Sequence, residues 1–175
     1  GGKLMLAFRN NDADLREFWF AQAPGGATFG QHVAASTTEG IVPICPMEGP
    51  RLALIGGNQH AMVWSSRGSS KGKVMMALSN DGGGSWSGGT PIGGFSGDEP
   101  TIAMGPSGTI YVTGVTGSNK AKLMASTDGG KTWSAPAALT AMDGSLGTPQ
   151  LAAAGDVAAL SAVSQGATVW LRRME

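Results

Sequence analysis

The chain has 175 residues, a formal net charge of zero, 29 glycines and only 14% charged residues. Its lysines and arginines are scattered, which excludes the electrostatic footprint of a nucleic-acid or anionic-membrane binder, and no apolar run approaches the ~20 residues of a membrane helix. Evenly spaced short apolar runs among 41% hydrophobic residues speak against disorder, and glycines without a three-residue period exclude collagen.

The sequence opens Gly1-Gly2-Lys3 with neither an initiator Met nor a signal peptide, as expected of a chain processed or cut from something longer. The short apolar runs Leu4–Phe8 and Arg16–Ala21 predict two strands. The polar stretch Asn10–Asp14 lies between them. Its oxygens, Asp12 among them, suit sugar hydroxyls or a hard cation, but it lacks the ligand spacing of a calcium loop and reads more plainly as a turn. Arg9, directly after the first strand, is the arginine best placed to touch a ligand.

The connection Ile44–Pro50 carries Cys45 and Glu48, and Arg51 opens the run that follows. Cys45 has no thiol partner for a disulfide and no nearby histidine, so an inert buried thiol is expected. Glu48 and Arg51 could reach a ligand, a surface ion pair between them being the plainer reading. Arg51–Ile55, Ala61–Trp64 and Lys73–Leu78 then predict three strands in succession. His32 and His60 lack metal-ligand partners at useful spacing, and neither a metal nor a cofactor is expected.

A turn motif follows, Ser79-Asn80-Asp81-Gly82-Gly83-Gly84-Ser85-Trp86, and returns 47 residues later as Ser126-Thr127-Asp128-Gly129-Gly130-Lys131-Thr132-Trp133. A decayed copy precedes both at Gln22–Phe29, keeping Gly25, Gly26, Thr28 and an aromatic. The Asp can accept hydrogen bonds from its own turn, the glycines supply backbone shapes closed to other residues, and the Trp offers a large area to bury. Ser79, Asp81, Gly83, Trp86, Ser126, Asp128, Gly130 and Trp133 are therefore expected to hold turns rather than to catalyse.

Between the two boxes, Gly97-Asp98-Glu99-Pro100 leads into Thr101–Met104, then Thr109–Thr113 and Lys122–Ala125. Asp98 and Glu99 are adjacent carboxylates on a unit-to-unit connection and, with Glu48, are the candidate catalytic groups, a solvated acidic turn being the plainer reading. Past Pro149 the pattern resumes with Gln150–Ala154, Val157–Val163 and Ala167–Arg172. Four-strand units at a period of ~40–50 residues are propeller blades. The chain is thus expected to be an all-β, incomplete β-propeller domain of four-stranded antiparallel blades spanning 3–40 (partial), 44–93, 98–142 and 148–175 (partial). That is roughly three and a half blades against the 4–8 that close a ring. Further blades or self-association should cover its open edges.

The two boxes resemble the Asp boxes of sialidases (neuraminidases) and the wider bacterial-neuraminidase-repeat superfamily, with matching flanks over most of the chain. The resemblance implies a propeller that acts on or binds glycans, in a secreted or periplasmic, bacterial setting. It also implies three arginines clamping a carboxylate, a Tyr nucleophile paired with a Glu, and an Asp acid/base. The Arg-Ile-Pro segment of that family is missing, and the single tyrosine, Tyr111, falls inside a strand. None of Arg9, Arg16, Arg51, Arg67, Arg172 and Arg173 is assigned to a clamp by a motif. Three readings stand: a sialidase-like glycoside hydrolase, a non-enzymatic module binding glycan, peptide or protein, or an incomplete propeller that serves as an assembly scaffold or a fragment of a larger one.

Overall fold

A computed structural model describes residues 2–26, 28–37, 39–42, 48–68, 70–105, 107–116, 120–138, 149–154, 158–165 and 168–174. Cys45, and the side chains of Arg172 and Arg173, lie outside the described residues. Every described element is a strand. Their ranges are β1 Lys3–Arg9, β2 Phe18–Pro24, β3 Val33–Ala34, β4 Arg51–Gly56, β5 Gln59–Ser65, β6 Lys73–Ser79 and β7 Thr90–Ser96. The series continues with β8 Asp98–Met104, β9 Ile110–Thr116, β10 Lys120–Ser126, β11 Ala137–Ala138, β12 Gln150–Ala154, β13 Ala158–Gln165 and β14 Thr168–Met174.

These strands form four sheets, ordered β1-β2-β3, β4-β5-β6-β7, β8-β9-β10-β11 and β12-β13-β14. The neighbours are sequential because short connections, from two residues between β4 and β5 to eight between β1 and β2, and the boxes join successive strands of a sheet in antiparallel sense. This is the expected all-β architecture of an incomplete propeller with open sheets. The strands run one to three residues beyond most of the apolar runs, since ladder hydrogen bonds continue through the polar residues that end each run.

The chain divides into two compact units, one comprising residues 1–71 and 75–90, the other 72–74 and 91–175. Within the first unit, alternation sends Phe18 and Phe20 of β2 to one side, where they meet Met62 and Trp64 of β5 and Met75 and Ala77 of β6. Met5, Ala7, Leu52 and Trp86 pack around this cluster. Burying each large side chain stabilises the fold by ~1.5–3 kcal/mol. His60 belongs to this interior at 4% exposure, its ring 5.9 Å from Phe20.

In the second unit, Ile92 and Phe95 of β7 are buried, as are Ile102, Ile110, Val112 and Met124. Asp98 and Glu99 sit inside β8 rather than on a free connection: Asp98 pairs with Val115, and the register shifts before Thr101. Glu99 occupies the bulge with φ of 48°, a conformation uncommon for a non-glycine residue. A Cβ on Gly97 would lie 2.8 Å from the Val115 carbonyl oxygen, so glycine there lets the two backbones close up.

Both boxes are built alike. Ser79 Oγ donates to Asp81 Oδ1 (2.9 Å) and accepts from Gly83 N (2.8 Å), while Ser85 donates to the same carboxylate from its backbone (2.9 Å) and its hydroxyl (2.6 Å). Ser126, Asp128, Gly130 and Thr132 repeat the pattern.

Candidate functional site

The first unit gathers charge in one place. Arg9 is the last residue of β1 and pairs in register with Phe18 at the start of β2. Its guanidinium lies 4.4 Å from the centre of the Phe18 ring. Such a stack contributes ~0.5–2 kcal/mol and leaves every N–H donor free for another partner. Nε and both terminal nitrogens of Arg9 are buried and have no hydrogen-bond partner among the described residues. Burial lowers its pKa from the usual 12.5, while Glu39 and Glu48 pull it upward and Arg67 and Arg16 downward. An arginine remains a cation under these influences.

The surrounding carboxylates already have hydrogen-bond donors. Arg67, two residues past the end of β5, grips Glu48 through Nε (3.1 Å) and a terminal nitrogen (2.6 Å). Each of the two side chains is about one-fifth exposed, 20% for Arg67 and 21% for Glu48. Fork-to-fork pairing of this kind fixes orientation as well as charge. Glu48 therefore pairs with Arg67, and the expected Glu48–Arg51 surface pair is replaced by it; Arg51 sits in the β4 ladder opposite Val63.

Arg16 pairs with Asp14 at 3.4 Å. Glu17, 8% exposed, accepts from Ser36 Oγ and from the backbone N–H groups of Glu39 (3.3 Å) and Gly40 (3.0 Å). Glu39, 2% exposed, accepts from the Trp64 indole and from two backbone N–H groups. Arg9 differs from the rest of this group in that none of its side-chain nitrogens has a hydrogen-bond partner among the described residues.

Local chain geometry explains the convergence. The segment Asn10–Glu17 closes as a hairpin in which Asp12 bridges Leu15, with Ala13 and Asp14 at φ of 47° and 67°. Asn11 Oδ1 accepts from Asp14 N (3.2 Å), which stabilises the turn. Residues 40–42 pair back onto it through Arg16 N to Gly40 O (3.0 Å) and Val42 N to Asp14 O (2.9 Å). That pairing draws Glu39 toward Glu17. Asp12 itself is exposed, and no group of three or more His, Cys, Asp or Glu that could hold a metal occurs among the described residues.

Of the candidates read from sequence, the structure brings Arg9 and Glu48 into one electrostatic group. Asp98 and Glu99 lie in the second unit, as does half-buried Tyr111, the second residue of β9. Sequence reasoning passed over Glu17, Glu39 and Arg67. One signal pointed to Arg67: it follows the second strand of its four-strand unit much as Arg9 ends the equivalent strand of the unit before. Glu39 had no signal, because its donors lie 25 to 29 residues away.

No protein-family model matches the chain, and a search of curated proteins finds no significant match. Solved structures do match. A Hadza microbial sialidase superposes with a TM-score of 0.65 at 14% identity, over 98% of this chain and 42% of the sialidase. The Trypanosoma rangeli sialidase, in complex with a difluorinated nononic acid, gives 0.62 at 14% identity over 94% and 31%. A lectin from Aleuria aurantia, bound to alpha-methyl-L-fucoside, gives 0.56 at 14% identity over 98% and 56%. The chain therefore spans less than half the length of the two sialidases it matches. Its fold is sialidase-like.

Proposed function

We propose that this chain is part of a glycan-recognising, sialidase-like propeller protein and that Arg9 receives an anionic group of the sugar, a carboxylate above all. The observation that carries this reading is the Arg9 guanidinium, its nitrogens buried, stacked on Phe18 and without a hydrogen-bond partner among the described residues while the carboxylates around it have donors. A buried cation without a partner is costly, and a planar fork suits a carboxylate in two-pronged fashion. Glu48, locked to Arg67, would border the same ligand. The sialidase and lectin likenesses support the glycan class through fold alone. An exported setting, bacterial in origin, fits such a ligand. Further blades or a second copy would pair at the free edge of β1, where Leu4 and Leu6 are exposed.

Binding is the core of the proposal. Hydrolysis is the stronger form of it, and release of a fluorophore from sialosides by the full-length parent would establish it. Titration with N-acetylneuraminic acid, glucuronic acid, galactose and fucose tests the binding form. The acidic sugars should bind and the neutral ones should not. Arg9→Gln should weaken acidic binding by about 10- to 100-fold, as expected for a charge-assisted pair. Equal binding of acidic and neutral sugars, or an Arg9→Gln protein that binds like the parent, would refute it.

A further inference from the structure

The Glu39 carboxylate differs from the other acids of the cluster. Oε1 accepts the Trp64 indole N–H at 2.9 Å, and Oε2 accepts the backbone N–H of Arg67 at 2.9 Å and of Gly68 at 3.2 Å. All three donors fall within five consecutive residues, and the middle one carries the guanidinium that grips Glu48. The main chains are also in direct contact: a Cβ on Gly68 would fall 1.6 Å from the Glu39 carbonyl oxygen. Only glycine lets the 64–68 turn close on Glu39 in this way. Glu39 is itself held, its N–H donating to Glu17 Oε2 at 3.3 Å.

These bonds leave little for the turn to do by itself. Residues 66 and 67 have left the β5 ladder, so the path of the backbone there rests on side-chain acceptors. Among the described residues the carboxylate accepts from neutral donors, and it is the largest upward influence on the Arg9 guanidinium.

We infer that Glu39 is the positioning residue of the anion site: by collecting three donors from the 64–68 turn it sets the direction in which Arg67 presents its guanidinium to Glu48, beside Arg9. This deepens the proposed glycan reading and rests on it only for the ligand.

Nitrogen-15 NMR of the whole chain, with and without N-acetylneuraminic acid, tests it. Glu39→Gln keeps the shape but offers one accepting oxygen and an NH2 group that opposes N–H donors. In this variant the Trp64 indole and Arg67 Nε–H signals should shift and the Arg67 signal lose exchange protection, with the signals of Gly83 and Ser85 unmoved. Affinity for the acid should fall about tenfold. Glu39→Asp, which keeps the charge, should recover part of the affinity. Trp64→Phe, which removes one donor and leaves both backbone bonds, should disturb Arg67 less than Glu39→Gln does; it carries the same readout if the Glu39 variants do not fold. Arg67 signals unchanged in a folded Glu39→Gln protein, or displaced Arg67 signals with unaltered affinity, would overturn the inference. A parent chain that binds no acidic sugar would remove the glycan reading, and the Arg67 signals would still decide the role of Glu39.

Discussion

The two boxes are near-identical in sequence and in internal bonding, yet they sit in different surroundings. In the first, Gly82 and Gly83 are buried, Gly82 N donates to Asn58 O at 2.7 Å, and the Phe20 ring fills the space beside Gly83 so closely that a Cβ there would lie 2.0 Å from it. Trp86 stands 5.3 Å from the same ring, its indole N–H without a partner among the described residues. In the second box Gly129 is exposed with nothing within 4 Å of a Cβ, and the Trp133 indole donates to Gly130 O at 3.1 Å. The motif therefore encodes a turn, and the neighbouring β2 turns one copy of it into a fastening between sheets. Sequence identity within a repeat does not imply equal energetic weight.

The difference is open to measurement by chemical denaturation. Gly83→Ala must accept both a positive φ of 93° and the Phe20 ring, and should lose about 2–4 kcal/mol. Gly129→Ala, one position earlier in the second box, meets only the backbone penalty at φ of 74°, and should lose about 1–2 kcal/mol. Equal losses would mean that Phe20 yields easily.

A smaller effect sharpens what the boxes share. Hydrogen bonds from the Ser85 hydroxyl and N–H, then from Ser79, hold the Asp81 carboxyl down at about 2, against an ordinary 3.8. Thr132 and Ser126 lower Asp128 in the same manner. A carboxyl whose folded pKa lies below its unfolded one favours the native state fully above the unfolded value, and that support is lost as pH falls through the folded value. Denaturation midpoints should therefore drop between pH 4 and pH 2. Asp81→Asn and Asp128→Asn should each flatten that drop to a similar degree, because the local bonds match. A flattening confined to one variant would show that surroundings govern the carboxylates as well as the glycines.

Much of the fold was legible because its signals are local. The short apolar runs Lys73–Leu78 and Gln150–Ala154 and the glycine pairs of the boxes are each settled within eight residues. The Asp98–Glu99 bulge was not legible: polar residues ahead of Pro100 read as a connection, whereas Asp98 pairs with Val115 across the sheet. The charged cluster was half legible. Arg9 could be placed by the strand it ends, but its isolation depends on Glu17, Glu39 and Glu48 finding other partners up to 29 residues distant. Which charges cancel is decided by packing, and period-two alternation carries no record of it.

The account turns on the Arg9 donors that have no hydrogen-bond partner among the described residues, and the most direct observation is the Arg9 Nε–H resonance of the intact chain during addition of N-acetylneuraminic acid. A saturable downfield shift with the acid and none with galactose is the predicted result, since a carboxylate would accept from donors that now have no partner. An Arg9 resonance that stays in place at saturating acid, or moves equally with galactose, would contradict it.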